Sequence, residues 1–267
     1  VVVLKDQGSN VLLNLFGGPA VNAAQGIAMQ VNNAVYSFVS NFMIASNPQI
    51  TKNCAAGDLN SMHSLIIRSA KFGFFILLIF LLPLCAGIDY VLGLWLVEVP
   101  VHTTNFVVLV LLYSLIECFV SPLITGVLAQ GKIKSFEIAL TFIYLGNFIA
   151  SYICLKIGMA VESVFVLNII FKFFVLVALL LHSHLKYAFP IARFFKECFL
   201  PSLSAFLVSG VFVCVLPGKE TSNFGAFVVR TLAIVTFTCM AVFVIGMAKR
   251  ERLYVKKNLR EKVCNKV

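Results

Sequence analysis

Charged residues, and acidic ones above all, are scarce in this chain. Of its 267 residues only 12% are charged and 11 are acidic, whereas 60% are hydrophobic and the mean hydropathy is +0.98. An ordinary soluble domain is about half apolar and about a quarter charged. The composition therefore excludes an ordinary soluble domain and indicates a polytopic membrane protein.

The sequence also lacks the motifs of metal binding and of catalysis. Its eight cysteines show no CxxC spacing, most of them lie inside apolar stretches, and its four histidines are scattered. We therefore expect no disulfides, no metal site and no organic cofactor. No nucleotide-binding loop, nucleophile motif or pair of acid–base carboxylates can be placed on an exposed loop. We expect a protein that is not an enzyme.

Seven apolar stretches are long enough to cross a bilayer, which takes about 20 residues. They are Val21–Ser46, Ser69–Ile88, Thr104–Ala129, Ser135–Leu155, Glu162–Leu181, Cys198–Leu216 and Asn223–Ala248. An eighth, Val1–Gly17, is short and polar at its start. Val1 is not an initiator Met and no signal peptide precedes it. We expect the chain to begin inside a helix, as a fragment or a truncated gene.

The loop Asn47–Arg68 looks amphipathic in its second half, where Met62, Leu65 and Ile66 lie beside Lys and Arg. We expect this half to form a helix that lies flat on the inner leaflet, with Asp58 before Ser61 at its start.

The basic residues are distributed unevenly over the predicted loops. Sixteen of the 21 fall on one side of the predicted membrane: Lys52, Arg68, Lys71, Lys132, Lys134, Lys186, Arg193, Lys196, Lys249, Arg250, Arg252, Lys256, Lys257, Arg260, Lys262 and Lys266. Cytoplasmic loops are enriched in Lys and Arg. The pattern predicts a multi-pass protein of the bacterial cytoplasmic (inner) membrane with a cytoplasmic C-terminus. It favours contact of the tail with membrane lipids and no binding of nucleic acid.

One predicted membrane helix carries a continuous polar stripe. At 100° per residue, these residues share about a third of the circumference of Val21–Ser46: Asn22, Gly26, Gln30, Asn33, Ser37, Ser40 and Asn41. Amides without partners in hydrocarbon cost several kcal/mol each, so the stripe must face other helices or a wet cavity. Interhelical packing is one interpretation; a face that lines a solute pathway is the other.

Ionisable residues also fall where hydrocarbon is expected. Glu117 and Lys172 each lie near the middle of a predicted span, and Lys5 and Asp6 open the first helix. Such residues are costly in a membrane and mark either ion pairs or transport sites. Glu117 with Lys172, or Lys5 with Asp6, are candidate structural pairs. In the transport interpretation, the lysines bind an anionic head group and Asp6 or Glu117 carries a coupling Na⁺ or H⁺.

Several ordered motifs resemble a known family. The first is LLN-x-F-x-GP-x-VNAA at Leu12–Ala24, and the second is NPQITK at Asn47–Lys52 followed by GD at Gly57–Asp58. LWLVEVP at Leu94–Pro100, SPLITGVLAQGKIK at Ser121–Lys134 and the tail segment Lys249–Arg252 follow in the same order. Together they resemble the C-terminal part of bacterial polysaccharide-biosynthesis flippases. These are the O-antigen (lipid-linked oligosaccharide) exporters of the multidrug/oligosaccharidyl-lipid/polysaccharide superfamily. The family often has Arg at the position of Gln25, and a Gly at that of Val97.

The resemblance implies an all-α polytopic transmembrane helix bundle. It implies fourteen helices in two lobes around a central cavity, with an N-terminal lobe missing here. Residues 1–188 would form the second transporter lobe, with a partial first helix and five full spans. Residues 189–248 would form two additional transmembrane helices, and residues 249–267 a basic cytoplasmic tail. One lobe alone cannot enclose the cavity.

The resemblance also implies a function, which is the flipping of polyprenyl-pyrophosphate-linked oligosaccharide by alternating access for cell-surface polysaccharide biosynthesis. We expect the phosphates to meet Lys5 and Lys172. We expect the sugars to meet the polar side chains of the first two helical segments, Asn10, Asn14, Asn22, Gln25, Gln30, Asn33, Ser37 and Asn41. A polysaccharide polymerase or glycosyltransferases are candidate partners.

Three alternatives stay open. A cation-coupled multidrug antiporter of the same superfamily would favour carboxylates in its cavity, whereas this chain offers both signs. A polymerase or acyltransferase would need a sizeable outer loop or a positioned acid and base, and neither is evident. An inactive truncated remnant is the third.

Overall fold

The computed structural model describes residues 2–131, 134–216, 224–247 and 251–252, with side chains from Gln7 onward. The model is 90% helical, and the described residues contain no strand. The prediction of an all-α polytopic helix bundle is confirmed. Lys5, Asp6, Lys132 and most of the basic tail lie outside the described side chains.

Helix α1 (Val2–Ala55) contains both the short first stretch and the polar stripe. The backbone departs from helical geometry at Gly18, with φ 75° and ψ −176°, immediately before Pro19. Glycine tolerates this positive φ, and proline suits the first turn of the helix that follows, so GP joins two helices at a bend. The stretch Val21–Ser46 is helical as predicted. It is not among the helices apolar enough to be candidate spans, because its amides lower its mean hydropathy.

Six further long helices are apolar enough to cross a membrane, and they match the other six predicted spans. They are α2 (Leu59–Ala86), α4 (Thr103–Ala129), α5 (Lys134–Lys156), α6 (Glu162–Tyr187), α7 (Ile191–Val215) and α8 (Phe224–Gly246). A short helix, α3 (Ile88–Trp95), joins α2 to α4. Helices α7 and α8 each contain a π-helical turn, at Phe195–Phe199 and Val242–Gly246.

The buried core lies where α1, α2, α4 and α6 meet. Helix α1 packs on α2 and α4, α4 packs on α6, and α5 packs on α6 and α1. Phe74 of α2 stacks on Phe119 of α4, with 5.0 Å between ring centroids, and Phe106 of α4 meets Phe165 of α6 at 4.3 Å. Helices α7 and α8 pack on α2 and on each other. The predicted division at residue 188 stays a prediction. Helix α6 ends at Tyr187, and the next residue, Ala188, has a left-handed backbone.

The start of α2 differs from the sequence-based expectation. The stretch Ser69–Ile88 was expected to begin the span, with Met62, Leu65 and Ile66 on a separate amphipathic helix that lies on the membrane surface. Instead α2 begins at Leu59 and runs without interruption, and Met62 and Ile66 are buried in the core. Asp58 caps this helix as predicted, since its Oδ1 accepts a hydrogen bond from the Ser61 amide at 3.0 Å. Hydrogen bonds from the Ser61 hydroxyl and then from the Ser61 amide lower the pKa of the exposed Asp58 carboxyl.

Lys71, which was counted among the basic residues of a cytoplasmic inter-helix segment, lies inside the bundle. Its side chain is only 3% exposed, and its Nζ lies 2.7 Å from both carboxylate oxygens of Glu251. Glu251 follows α8, and the adjacent Arg252 donates from Nε to the Met247 carbonyl at 2.8 Å. The chain after α8 is thereby joined to α2 by a buried ion pair.

We expect the variant Glu251→Ala to be about 3 kcal/mol less stable than the parent chain. The substitution leaves the buried Lys71 ammonium without its carboxylate, and removing one partner of a buried pair costs about 3–5 kcal/mol. Thermal unfolding in detergent measures the loss. The matched control is Glu197→Ala, because Glu197 pairs with Arg193 at 3.0 Å but is 49% exposed. Its loss should be below about 1 kcal/mol. Equal losses in the two variants would show that the Lys71 pair does not hold the end of α8.

Candidate site: a polar cavity and an exposed amide face

A cavity of about 370 Å³ lies between α1, α4, α5 and α6. Among the described residues, its wall combines amides and hydroxyls, one carboxylate, one ammonium and three aromatic rings. The lining residues include Ser9, Asn10, Gln25, Met29, Asn32, Tyr113, Glu117, Tyr144, Phe165, Asn168 and Lys172. Met29 is 39% exposed, so the cavity is not sealed from the surface. The volume falls in the range of small-molecule pockets, about 300–1,000 Å³.

Glu117 of α4 and Lys172 of α6 form an ion pair in this cavity. The Lys172 side chain is 5% exposed and that of Glu117 is 25% exposed. The Lys172 ammonium also lies 5.2 Å from the centroid of the Tyr113 ring. The ion pair between Glu117 and Lys172, which was one of two interpretations of these residues, is therefore present. It leaves the cavity without net charge from these two groups, so an anion could reach Lys172 only in competition with Glu117.

Amide and hydroxyl side chains join the helices around the cavity. The Ser114 hydroxyl of α4 donates to Asn32 Oδ1 of α1 at 2.6 Å, and Asn147 Nδ2 of α5 donates to Asn168 Oδ1 of α6 at 2.7 Å. Such bonds satisfy polar groups that would be costly in hydrocarbon. Gln25 is the exception, because its Oε1 atom is buried and has no hydrogen-bond partner.

The predicted polar stripe of α1 does not face these neighbours. Gln30, Asn33, Ser37 and Asn41 are exposed, and no hydrogen bond joins the three amides to any described residue. The Ser37 hydroxyl donates to the Ala34 carbonyl of its own helix at 2.7 Å. Within the described part of the chain, the stripe is therefore an unpartnered surface, which we call the amide face.

The remaining predicted residues are divided between the cavity and the surface. Asn10 is half-buried and lines the cavity, Asn22 is half-buried, and Asn14 is exposed. Gln25, which is not part of the stripe, lies on the cavity side of α1. The side chains of Lys5 and Asp6, predicted to bind phosphate and to carry an ion, lie outside the described residues.

Sequence reasoning missed a second polar row on α1. Gln25, Met29, Asn32 and Tyr36 follow each other at spacings of three and four, about 90° around the helix from the amide face. The amides Asn147 and Asn168, each within an apolar span, are the corresponding sequence signal on α5 and α6. Two polar rows on one membrane helix indicate that the helix borders polar space on two sides.

Among the described residues, no group of three or more His, Cys, Asp or Glu side chains could hold a metal ion. The arrangement can therefore bind polar ligands by hydrogen bonds and by one ion pair. Comparison with protein-family models, with curated proteins and with solved structures finds no match for this chain.

Proposed function

We propose that this chain is one lobe, with two additional helices, of a membrane transporter that moves polyprenyl-pyrophosphate-linked oligosaccharide between leaflets by alternating access. The observation that carries the proposal is the amide face of α1. It presents hydrogen-bonding groups at membrane depth to a side that no described helix covers. The sequence resemblance given above supplies the class of substrate.

The amide face cannot lie against lipid. An unsatisfied polar group in hydrocarbon costs several kcal/mol, so lipid cannot cover Gln30, Asn33 and Asn41 together. Many exposed side chains elsewhere on the bundle are large and apolar, as expected for contact with lipid; on α5, for example, Phe142 is 70% exposed. The amide face therefore borders either water or a second lobe. A water-filled cavity between two lobes would place it next to both.

The Glu117–Lys172 pair gives this lobe a possible coupling element. A substrate phosphate that approaches Lys172 competes with Glu117, and a proton taken up by Glu117 would release the ammonium. Glu117 interacts with Lys172 of α6 and with Tyr36 of α1, and it shares the cavity wall with Tyr113 and Tyr144. The membrane potential is worth about 2.3 kcal/mol per charge per 100 mV, enough to bias such a step.

The antiporter alternative is less well supported by this geometry. Substrates of cation-coupled drug antiporters are usually cations, and a cation site needs a carboxylate available in the cavity. The cavity carboxylate, Glu117, is already neutralised by Lys172. An organic cation would have to displace a buried ammonium.

We further propose that the chain lies in the bacterial inner membrane with its C-terminal tail in the cytoplasm. Lys52, Lys186 and Arg193 lie at the helix ends that flank the α1–α2 and α6–α7 connections, as expected for the cytoplasmic side. The α3–α4 connection, which carries the fully exposed Val97, would then lie outside.

A variant Val97→Cys, in a background whose native cysteines are replaced by alanine, should react with a membrane-impermeant maleimide added to intact spheroplasts. Thr51→Cys, an exposed position at the other end of the bundle, should react only after the membrane is opened. The reverse pattern would overturn the orientation. The function itself is tested by the leaflet distribution of lipid-linked oligosaccharide in cells that lack the gene.

A further inference from the structure

We infer that His102 and Glu162 form a pH-responsive clasp that holds α4 and α6 together at the α3 end of the bundle and controls how open the cavity is on that side. Neither residue belongs to the set assigned above to substrate binding or to ion coupling. The clasp makes the opening of the cavity depend on the pH of the compartment that this end faces. In the orientation proposed above, that compartment is the outside.

The geometry of the pair is the first support. His102 immediately precedes α4, and Glu162 is the first residue of α6. His102 Nδ1 lies 2.5 Å from Glu162 Oε1, and Asn105 Nδ2 donates to the same oxygen at 3.2 Å. Two side chains at the start of α4 therefore bind one carboxylate at the start of α6.

The backbone of His102 is the second support. Its φ of 72° and ψ of −9° lie in the left-handed region, which is uncommon for residues other than glycine. The turn before α4 fixes this conformation, because the hydroxyl and the amide of Thr103 both donate to the Pro100 carbonyl, at 2.7 and 3.2 Å. Such backbone conformations persist where the surrounding structure determines them, and they cluster at clamps and switches. The turn thereby orients the imidazole toward Glu162.

Aromatic rings connect the pair to the cavity. The His102 ring stacks on Phe106, with 5.9 Å between ring centroids, and Phe106 meets Phe165 at 4.3 Å. Phe106 is fully buried, and Phe165, one turn after Glu162 on α6, lines the cavity. Because these rings are in contact, a change in the separation of the two helix ends moves the cavity wall.

Protonation of His102 changes the strength of the pair. Histidine is the side chain that ordinarily changes its charge between about pH 5 and 8. At acidic pH an imidazolium and a carboxylate form an ion pair with a charge-assisted hydrogen bond, whereas a neutral imidazole donates a weaker one. The side chains of His102 and Glu162 are 34% and 21% exposed, so protons reach them. The clasp is therefore strongest at acidic pH and weakens as the pH rises.

Other charged groups at this end of the described chain are engaged elsewhere or lie apart from the imidazole. They are Asp89, Glu98, Lys156 and Arg230. Asp89 Oδ1 accepts from the Thr104 hydroxyl at 2.7 Å, and the Lys156 ammonium lies 5.7 Å from the centroid of the Tyr152 ring. Among the described contacts, the carboxylate that meets the His102 ring is that of Glu162.

The test measures the access of water to the cavity in the chain held in lipid nanodiscs. Leu109, in the second turn of α4, lines the cavity. In a background whose native cysteines are replaced by alanine, Leu109→Cys would carry a bimane fluorophore, and an uncharged water-soluble nitroxide would quench it. The quenching constant should rise about twofold to fivefold between about pH 5.5 and pH 8, because a partly exposed ion pair contributes modestly.

Two variants remove the clasp from its two sides. His102→Asn removes the titrating ring, and asparagine tolerates the left-handed backbone. Glu162→Gln removes the carboxylate without changing the turn before α4. Each should give high quenching at both pH values, and if one of them does not fold, the other makes the same test. The matched control is His182→Asn, near the other end of α6, which should keep the pH response of the parent.

Three results would overturn the clasp: quenching in the parent is the same at both pH values, either clasp variant keeps the response of the parent, or His182→Asn loses that response as well. The clasp rests on the proposed function only in the statement that this end faces outward, and the two can fail separately. Absence of a pH response with oligosaccharide delivery dependent on the gene removes only the clasp. A pH response in nanodiscs with delivery unaffected by loss of the gene removes only the proposed function.

Discussion

The variant Lys172→Met should lose translocation and should be about 3 kcal/mol less stable than the parent chain. The substitution leaves the Glu117 carboxylate in the cavity without its cation. Removing one partner of a buried pair costs about 3–5 kcal/mol, and the lower end applies because the Glu117 side chain is 25% exposed. Thermal unfolding in detergent measures the stability, and delivery of oligosaccharide to the outer leaflet measures the activity.

The double variant Lys172→Met with Glu117→Gln separates the structural role from the transport role. It has no unpaired charge, so its stability should return to within about 1 kcal/mol of the parent. If the pair serves only to neutralise two buried charges, translocation should return as well. Our account predicts a stable but inactive double variant, since Lys172 would no longer be present to meet the substrate phosphate. Full activity of Lys172→Met alone, or recovery of activity in the double variant, would remove Lys172 from the mechanism.

The second large effect is expected at the amide face. Replacing Asn33 and Asn41 together with leucine should lower translocation at least about tenfold, because two hydrogen-bonding groups are lost and each tenfold change corresponds to about 1.4 kcal/mol. Stability should be unchanged, since both side chains are exposed and make no hydrogen bond to the described residues. The leaflet assay and thermal unfolding, applied to the same preparations, measure the two effects.

The control for the amide face is Phe38→Leu on the same helix. Phe38 is 53% exposed and stacks on Phe80 of α2 at 4.5 Å, so the change alters shape without removing a polar group. It should leave translocation within about twofold of the parent. If the leucine double variant instead loses stability in proportion to activity, the amides bond to other helices and do not line a pathway. That was the alternative left open by the sequence.

Much of the architecture could be predicted because membrane helices follow simple rules. Runs of apolar residues fix where α4, α5 and α6 lie, with ends within a few residues of those observed. Asp58 could be assigned as a helix cap from its position before Ser61. Glu117 and Lys172 could be offered as a pair because an unpaired charge inside a membrane is costly.

The orientation of α1 could not be fully predicted, because periodicity gives relative angles and not the direction of the core. The amide stripe was the stronger signal, yet it lies on the surface, and the weaker row with Gln25 and Asn32 borders the cavity. Ion pairs between residues far apart in the sequence could not be predicted either. Lys71 and Glu251 are 180 residues apart, and Lys71 was placed in a loop because local composition favoured one. Such contacts depend on how α2 and α8 pack.

The most direct measurement is the leaflet distribution of lipid-linked oligosaccharide in host cells from which the gene has been deleted. The lipid-linked sugars would be labelled in intact spheroplasts with a membrane-impermeant reagent and then extracted. Our account predicts that they accumulate on the cytoplasmic side, protected from the label, and that the intact gene restores labelling. Normal labelling in the deletion strain would contradict the proposed translocation and would favour the antiporter or an inactive remnant.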